Sequence, residues 1–178
     1  MRIISGAWRG RTLKAPAGQL TRPTTDRTRE ALFSMLASRL GSFEDLRVAD
    51  LFAGTGALGI EALSRGAAHC TFAETDRAAL TALKANLDLV GAGDRGDIRA
   101  QSATSLPGGP FDLVLLDPPY ESGLGQVALA NLAKRAAIRP GAWASIETSF
   151  KEDVAVPGFE IDTQRIHGKA KITLLRYG

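Results

Sequence analysis

The chain has 178 residues, 44% of them hydrophobic, a net charge of +3, one cysteine and two histidines, which is typical of a single soluble globular domain. The single cysteine, Cys70, excludes an internal disulfide, and its apolar surroundings predict a small core residue. Zinc-ligand spacing, a membrane-length apolar run and a signal peptide are all missing, so we expect a cytoplasmic protein with no metal site.

The positive charge is concentrated at the N-terminus. Residues 1–30 carry seven basic and two acidic side chains, a net charge of +5, whereas the rest of the chain carries 15 basic and 17 acidic ones, a net charge of −2. A basic arm on a near-neutral body is typical of a nucleic-acid backbone contact, although ordinary solvated surface charge gives the same pattern. Arg9, Arg11 and Lys14 are the candidate phosphate contacts, while Trp8 could stack on a base or pack on the body.

Helical and strand patterns alternate along the chain. The apolar periodicity and the turn residues first predict two short strands around a Gly-rich turn within 2–16 and a helix over 26–40. Next come a strand over 47–52, a helix over 57–66, a strand over 69–74, a helix from Asp76 to Gly91, and strands over 95–101 and 111–117. The last predicted elements are a helix over 123–138 ended by Pro140 and Gly141, a strand over 143–147, and two strands in 159–178 that turn at His167-Gly168.

This alternation predicts an α/β fold. We expect a Rossmann-like, doubly wound, mostly parallel seven-stranded sheet with an antiparallel C-terminal hairpin, plus a small N-terminal β-hairpin extension. The domain would span 1–178, with a basic arm at 1–24 and the Rossmann-like core at 25–178. Because the arm precedes the predicted cofactor elements, we expect changes to its cations to leave cofactor affinity unchanged.

A glycine loop follows the first strand of this core. In "DLFAGTGALG", Gly54, Gly56 and Gly59 lead from a strand into a helix, and Glu74 follows Gly54 by 20 residues. Glycines let the backbone approach a ligand, and the acid could hold ribose hydroxyls, so the loop predicts a ribose-bearing cofactor. The loop alone also fits a nicotinamide dinucleotide. Asp50 argues against that choice, because its carboxylate would repel a pyrophosphate and would suit a cationic α-ammonium group.

A second motif ends the fourth predicted strand. In "FDLVLLDPPYESG", an apolar run is followed by Asp117-Pro118-Pro119-Tyr120, and the two prolines prevent further pairing or coiling. In the usual strand order of such sheets this strand lies beside the first one. The carboxylate and the aromatic ring should therefore face the same crevice as the glycine loop.

The two motifs together resemble the signature of class I S-adenosylmethionine-dependent amino-methyltransferases. The N-terminal stretches "RIISGAWRGRTL" and "RPTTDRTREALFSML" are similar to the bacterial 16S rRNA (guanine-N2)-methyltransferases of the RsmD type, and the resemblance extends over practically the whole chain. It implies one S-adenosyl-L-methionine-dependent methyltransferase domain that methylates N2 of a guanine in 16S rRNA. It further implies a monomer acting on a small-subunit assembly intermediate.

The resemblance also implies the site residues. The cofactor-binding residues would be Asp50, Phe52, Ala53, Gly54, Gly56, Glu74, Ser102, Ala103 and Asp117. Asp50 would lie near the cofactor ammonium and Glu74 at the ribose hydroxyls, while Ser102 stands where many relatives have Asp or Asn. Thr25, Asp26 and Arg29 open a helix similar to the family's extra cofactor-side motif, although a helix cap and surface charges explain them equally well.

The implied catalytic residues are Asp117, Pro118, Pro119 and Tyr120. An exocyclic amino group is a poor nucleophile because its lone pair is delocalised into the ring. The Asp117 carboxylate and the Pro118 carbonyl could each accept one N–H and so favour a pyramidal nitrogen, while Tyr120 would stack on the base and join the substrate-binding residues.

Other functions remain open at this stage. The same four-residue motif serves methyltransferases that act on adenine N6 of nucleic acid or on a protein glutamine, although 178 residues leave little room for a separate DNA-recognition segment. A nicotinamide-dependent dehydrogenase fits the glycine loop alone. A non-catalytic RNA-binding module would keep the fold but has no use for an intact Asp117-Tyr120 motif.

Overall fold

The computed structural model describes residues 1–16 and 25–178. No helix in these ranges is both long and apolar enough to span a membrane. The elements in chain order are α1 (Asp26–Leu40), β1 (Arg47–Leu51), α2 (Ala57–Ser64), β2 (His69–Ala73), α3 (Arg77–Val90), β3 (Gly96–Arg99), β4 (Phe111–Leu116), α4 (Leu124–Lys134), β5 (Ile138–Ser149), β6 (Phe159–His167) and β7 (Ala170–Tyr177), with short 3₁₀ turns at Gly93–Arg95 and Ala103–Ser105.

The seven strands form one sheet in the order β3-β2-β1-β4-β5-β7-β6. Strands β1 to β5 are parallel to one another, whereas β7 is antiparallel to both β5 and β6. The Rossmann-like topology and the C-terminal hairpin are therefore confirmed. Because β1 lies between β2 and β4, the chain reverses its winding direction at the β1–β4 pair, and a crevice opens there beyond the carboxyl ends of the strands.

The strand β4 shows why the core strands are apolar throughout. Leu113 and Leu115 pack into the core layer on one face of the sheet, and Val114 and Leu116 pack into the layer on the other. All four are at most 1% exposed. A strand buried on both faces cannot show the alternation of a half-exposed strand, because successive side chains point to opposite layers that are both dry.

The predicted boundary between the last helix and the fifth strand was wrong. Helix α4 ends at Lys134, and Pro140 and Gly141 lie inside β5 instead of ending the helix. Strand β5 begins with Ile138 beside Phe111, and the β4–β5 register then shifts before Leu113 pairs with Trp143. A proline is tolerated in a strand where such an irregularity removes the need for its N–H.

The N-terminal arm forms less regular structure than two strands. Residues 1–16 fold back on themselves, but a single β-bridge, between Arg2 and Thr12, is the only pairing among them. The Ile3 N–H donates to the Arg11 carbonyl at 2.9 Å and the Leu13 N–H to the Met1 carbonyl at 2.8 Å. Other backbone groups of the arm bind side chains of the body, which takes the place of longer strand pairing. Residues 17–24, the remainder of the predicted arm, lie outside the described residues.

Candidate functional site at the carboxyl edge of the sheet

Two adjoining cavities lie at the carboxyl ends of β1, β2 and β4. The first, of about 320 Å³, is lined by residues that include Met1, Ala15, Pro16, Arg29, Asp50, Phe52, Ala53, Gly54 and Asp117. The second, of about 460 Å³, is lined by residues that include Phe52, Gly54, Glu74, Ser102, Ala103, Asp117 and Pro119. Since Phe52, Gly54 and Asp117 border both, the cavities form one crevice, in which most of the sequence-predicted site residues meet.

The glycines of the loop have different roles. An added Cβ at Gly54 would meet nothing within 4 Å, so the backbone there leaves open space for a ligand. At Gly56, which has a φ of +85°, an added Cβ would lie 2.3 Å from the Leu83 side chain. At Gly59 it would lie 2.4 Å from Phe72. Gly56 and Gly59 therefore allow α2 to pack closely on its neighbours and do not line the crevice themselves.

Asp50 is a buried carboxylate at the bottom of the crevice. It is 1% exposed, and its Oδ2 accepts a hydrogen bond of 2.9 Å from the Gly59 N–H. Burial raises the pKa of the Asp50 carboxyl well above its usual value, and the nearby charges of Asp117 and Glu74 raise it further, against the opposing effect of the Gly59 hydrogen bond. A cationic group in this cavity would offset both the lost solvation and the acidic neighbours.

Glu74 connects the end of β2 to the glycine loop. Its Oε1 accepts from the Gly54 N–H at 2.7 Å, and its Oε2 accepts from the N–H groups of Thr75 at 2.9 Å and Asp76 at 2.8 Å. These bonds hold the carboxylate in one orientation beside the second cavity. A carboxylate oxygen has two acceptor sites, so Oε1 can take a further hydroxyl donor.

Ser102 and Ala103 form the far wall of the second cavity. The Ser102 hydroxyl caps its own 3₁₀ turn: it accepts from the Thr104 N–H at 3.2 Å and shares a bond of 2.8 Å with the Thr104 hydroxyl. Ala103 is 6% exposed and belongs to the core on that face. The structure thus gives Ser102 a local capping role in addition to its place at the cavity wall.

The Asp117-Tyr120 motif begins directly after β4. The Asp117 N–H donates to the Leu51 carbonyl at 3.4 Å, and the Tyr120 hydroxyl donates to Glu147 Oε2 at 3.2 Å. Glu147 is 8% exposed, and the pairing of Leu116 with Ile146 brings it to the strand end beside Asp117. Sequence reasoning missed Glu147, since only the β4–β5 register brings it to the motif.

Arg29 lines the first cavity and is buried, which the sequence did not indicate. It is fully buried, so the surface-charge interpretation was wrong for this residue. Its two Nη atoms donate to the Arg2 carbonyl at 3.2 and 3.1 Å, and it pairs with Asp26 and, at 3.9 Å, with Glu61. Its buried Nε has no hydrogen-bond partner among the described residues. Thr25, by contrast, caps α1 by accepting from the Thr28 N–H, as a helix cap would.

The arm borders the crevice, although it precedes the predicted cofactor elements in the sequence. Met1, Ala15 and Pro16 line the first cavity. The arm meets the glycine loop at this cavity because side chains of α2 and α3, Glu61 and Asn86, bind the arm backbone. No local pattern in the sequence indicates this contact, since it depends on side chains 57 and 72 residues away.

The candidate phosphate contacts stay outside the crevice. Arg9, Arg11 and Lys14 are exposed, although Arg11 also donates to the Leu89 carbonyl at 3.0 Å. Trp8 is half-buried, packs against the core and lies 5.2 Å from the Arg95 guanidinium. Of the two alternatives for Trp8, the structure therefore favours packing on the body.

Comparisons with known proteins relate the chain to methyltransferases. The family model described as "Conserved hypothetical protein 95" matches residues 1–176. The ribosomal RNA small subunit methyltransferase D of Escherichia coli strain K12 is 45% identical over 126 residues, which are 70% of this chain and 62% of that relative. The protein of the same name from Haemophilus influenzae is 37% identical over 163 residues, which are 88% of this chain and 83% of the relative. Among solved structures, the "Putative methyltransferase yhhF" of Escherichia coli superposes with a TM-score of 0.88 at 36% identity, covering 99% of this chain and 97% of the other.

Proposed function

Because the chain belongs to the RsmD family, which includes the ribosomal RNA small subunit methyltransferase D proteins, we propose that it transfers a methyl group from S-adenosyl-L-methionine to 16S rRNA. The acceptor we propose is the exocyclic N2 amino group of a guanine. One observation carries the proposal: Asp117, the first residue of the acceptor motif, borders both cavities of the crevice. The same motif can therefore serve a bound cofactor and an incoming base.

The crevice residues fit this cofactor chemically. When bound, S-adenosyl-L-methionine supplies an electrophilic methyl group on a sulfonium. Asp50 offers its α-ammonium a buried carboxylate whose pKa is raised by burial, and Arg29 offers its α-carboxylate a buried Nε without a partner among the described residues. Glu74 holds a carboxylate oriented for ribose hydroxyls, with Ala103 on the adenine side.

The acceptor motif would prepare the amino group for attack. The Asp117 carboxylate and the Pro118 carbonyl each accept one N–H, which directs the nitrogen lone pair towards the methyl group. Pro118 is held in place against the start of α4, where an added Cβ at Gly125 would lie 2.9 Å from its ring. Such preorganised polar groups typically contribute about 10²- to 10³-fold in rate. The proton that the amino group loses passes to solvent, with no covalent intermediate on the protein.

Tyr120 is the proposed stacking platform for the base. Its hydroxyl donates to Glu147 of β5, which fixes the ring relative to the neighbouring strand end. Stacking of a base on an aromatic side chain contributes about 1–3 kcal/mol. A paired base could not reach the crevice, so the target guanine must be unpaired or flipped out of its helix.

The exposed cations of the arm would hold the RNA backbone. Arg9, Arg11 and Lys14 lie on a segment that also lines the first cavity through Met1, Ala15 and Pro16, so phosphates bound there would bring the RNA to the crevice. We propose a cytoplasmic monomer that acts on a small-subunit assembly intermediate, as one methyltransferase domain with the arm at 1–24 and the core at 25–178.

An in vitro assay tests the proposed function. Protein is incubated with methyl-labelled S-adenosyl-L-methionine and, separately, with a 16S rRNA transcript, small-subunit particles, DNA and a protein fraction, and the products are identified by mass spectrometry. We expect N2-methylguanosine in 16S rRNA and no label with Asp117→Ala. Label found instead as N6-methyladenosine or as methylglutamine would establish one of the alternative acceptors.

A further inference from the structure

One buried side chain, Asn86 of α3, binds the arm and the glycine loop at the same time. Asn86 is fully buried. Its Oδ1 accepts from the Lys14 N–H at 2.7 Å, and its Nδ2 donates to the Lys14 carbonyl at 3.0 Å and to the Thr55 carbonyl at 3.0 Å. Thr55 lies between the two glycines of the loop. A single amide therefore uses one acceptor and both donors to join two segments that are distant in sequence.

The two segments that Asn86 joins both line the first cavity. Ala15 and Pro16, which follow Lys14, line it from the arm, while Gly54 and Thr55 line it from the loop. The rest of the arm is attached at another place: Glu61 of α2 accepts from the N–H groups of Ile4 at 2.9 Å and Ser5 at 3.1 Å. Asn86 thus holds the part of the arm that reaches the cavity through Ala15 and Pro16.

We infer that Asn86 is a positioning residue that makes the basic arm a wall of the cofactor cavity, so that cofactor and RNA bind cooperatively. This inference rests on the proposed function. A ligand that contacts both the loop and Ala15-Pro16 gains all its contacts only when the arm is docked, so it shifts the arm towards the docked state. A docked arm holds the neighbouring Lys14 and Arg11 near one position, which lowers the ordering cost when they bind phosphates.

Trypsin reports on this docking directly, because its cleavage sites lie in the arm. Cleavage after Arg9, Arg11 or Lys14 requires the local backbone to leave the body, so the rate follows the undocked population. The probe is S-adenosylhomocysteine, and calorimetry on the same samples confirms that it is bound. In the wild type we expect bound probe to slow cleavage at Arg11 and Lys14 by about fivefold or more, the lower end of ordinary coupling between sites.

The test variant is Asn86→Leu, which keeps the approximate side-chain size and removes all three hydrogen bonds. We expect bound probe to change its arm cleavage by less than about twofold, which is below ordinary coupling. Asn86→Asp is the second variant. It keeps the acceptor for the Lys14 N–H but loses both donated bonds, and it carries the test if the leucine variant does not fold.

Asn131→Leu is the matched control. The Nδ2 of Asn131, on α4, donates to the Thr104 carbonyl at 2.9 Å, so it also ties a helix to a loop beside the crevice, but it does not touch the arm. Its arm should be protected by the probe as in the wild type. The same variants are then titrated with a 16S rRNA transcript with and without probe. Probe should tighten RNA binding by the wild type and by Asn131→Leu, and should leave the affinity of the Asn86 variants unchanged.

The possible failures are distinguishable. If the wild type binds the probe but its arm is cleaved at the same rate, the inference is wrong while the proposed function stands. The same holds if both Asn86 variants are protected as well as the wild type. If the wild type does not bind the probe at all, the proposed function itself fails.

Discussion

Replacing Asp50 by asparagine should change stability and cofactor binding in opposite directions. Asparagine has nearly the same shape and keeps an acceptor for the Gly59 N–H, which Asp50 now binds at 2.9 Å. The substitution therefore removes the buried negative charge and little else. In the ligand-free protein that charge is desolvated and lies near Asp117 and Glu74, both of which oppose it.

The expected magnitudes follow from this environment. Removing an unfavourable buried charge should raise the free energy of unfolding of the ligand-free protein by about 0.5–2 kcal/mol, the usual size of a single stabilising substitution. Hydrogen bonds to charged groups contribute about 1.5–3 kcal/mol, so losing the carboxylate from the ammonium contact should weaken cofactor affinity by about 10- to 150-fold.

The pH dependence has a definite sign. Because the pKa of the folded Asp50 carboxyl lies above its ordinary value of 3.8, the folded protein holds this proton more firmly than the unfolded chain. Its contribution to the free energy of unfolding therefore decreases as the pH rises from 3.8 through the raised pKa. Asp50→Asn should lack this decrease. Cofactor affinity of the wild type should increase over the same interval, since the ammonium requires the ionised carboxylate.

Urea unfolding and calorimetry with S-adenosylhomocysteine measure both effects. The matched control is Asp112→Asn, because Asp112 is an acid on the neighbouring strand β4 but binds Arg139 at 3.0 Å and the Arg47 N–H at 2.9 Å, away from the crevice. The control should leave cofactor affinity unchanged and should not gain stability. An Asp50→Asn protein that is less stable than the wild type and binds the cofactor equally well would refute the reasoning.

Three further predictions concern the crevice and the arm. Asp117→Ala should lower the single-turnover methylation rate by about 10²- to 10³-fold while calorimetry shows nearly intact cofactor affinity. A near-normal rate would contradict the role of Asp117 as an acceptor for the amino group. Glu74→Ala should weaken cofactor binding by about ten- to hundredfold, because the proposed ribose contact and the Gly54 N–H bond are lost together. Unchanged affinity would mean that the ribose binds elsewhere. The triple change Arg9→Ala, Arg11→Ala and Lys14→Ala should reduce the salt dependence of RNA binding by about two units of slope. It should spare cofactor affinity, because the backbone bonds between Lys14 and Asn86 remain and only the Arg11 bond to the Leu89 carbonyl is lost. Equal slopes for variant and wild type would exclude the arm as the phosphate contact.

The fold could be predicted largely because its strands and helices have distinct apolar periods. The apolar run before Asp117 and the turn residues around each helix are local signals, and a parallel sheet brings all its strand ends to one edge. The α4–β5 boundary failed because Pro140 is usually a helix stop, whereas here a register shift between Phe111 and Leu113 accommodates it within a strand. That shift is a tertiary property with no local signal.

The candidate site also contains residues that could be predicted from the sequence and residues that could not. Asp50, Glu74 and Asp117 could be found because each lies at or near the end of a predicted strand, so chain order and topology bring them together. The burial of Arg29 and Asn86 could not, because a charged or amide residue on a helix usually faces solvent, and both side chains bind the docked arm. Each binds backbone groups of the arm, whose path the sequence does not indicate, in addition to partners in the body.

The basic C-terminal tail shows that charge alone does not identify an RNA contact. Lys169 and Lys171 would be the next candidates for an RNA contact by charge alone. Lys171, however, is 7% exposed, and its ammonium donates to the Glu152 carbonyl, so it is a structural residue of the β5–β7 region. That residues 1–178 form one domain, with an arm at 1–24 and a core at 25–178, stays a prediction.

The central claim is that this chain methylates N2 of a guanine in 16S rRNA, with Asp117 as an acceptor for the amino group. The most direct measurement is mass-spectrometric mapping of methylated nucleosides in 16S rRNA from cells that lack the protein, complemented with the wild type or with Asp117→Ala. We predict that one N2-methylguanosine is missing without the protein, returns with the wild type and stays missing with the variant. An unchanged set of 16S rRNA methylations, or full restoration by Asp117→Ala, would contradict the claim.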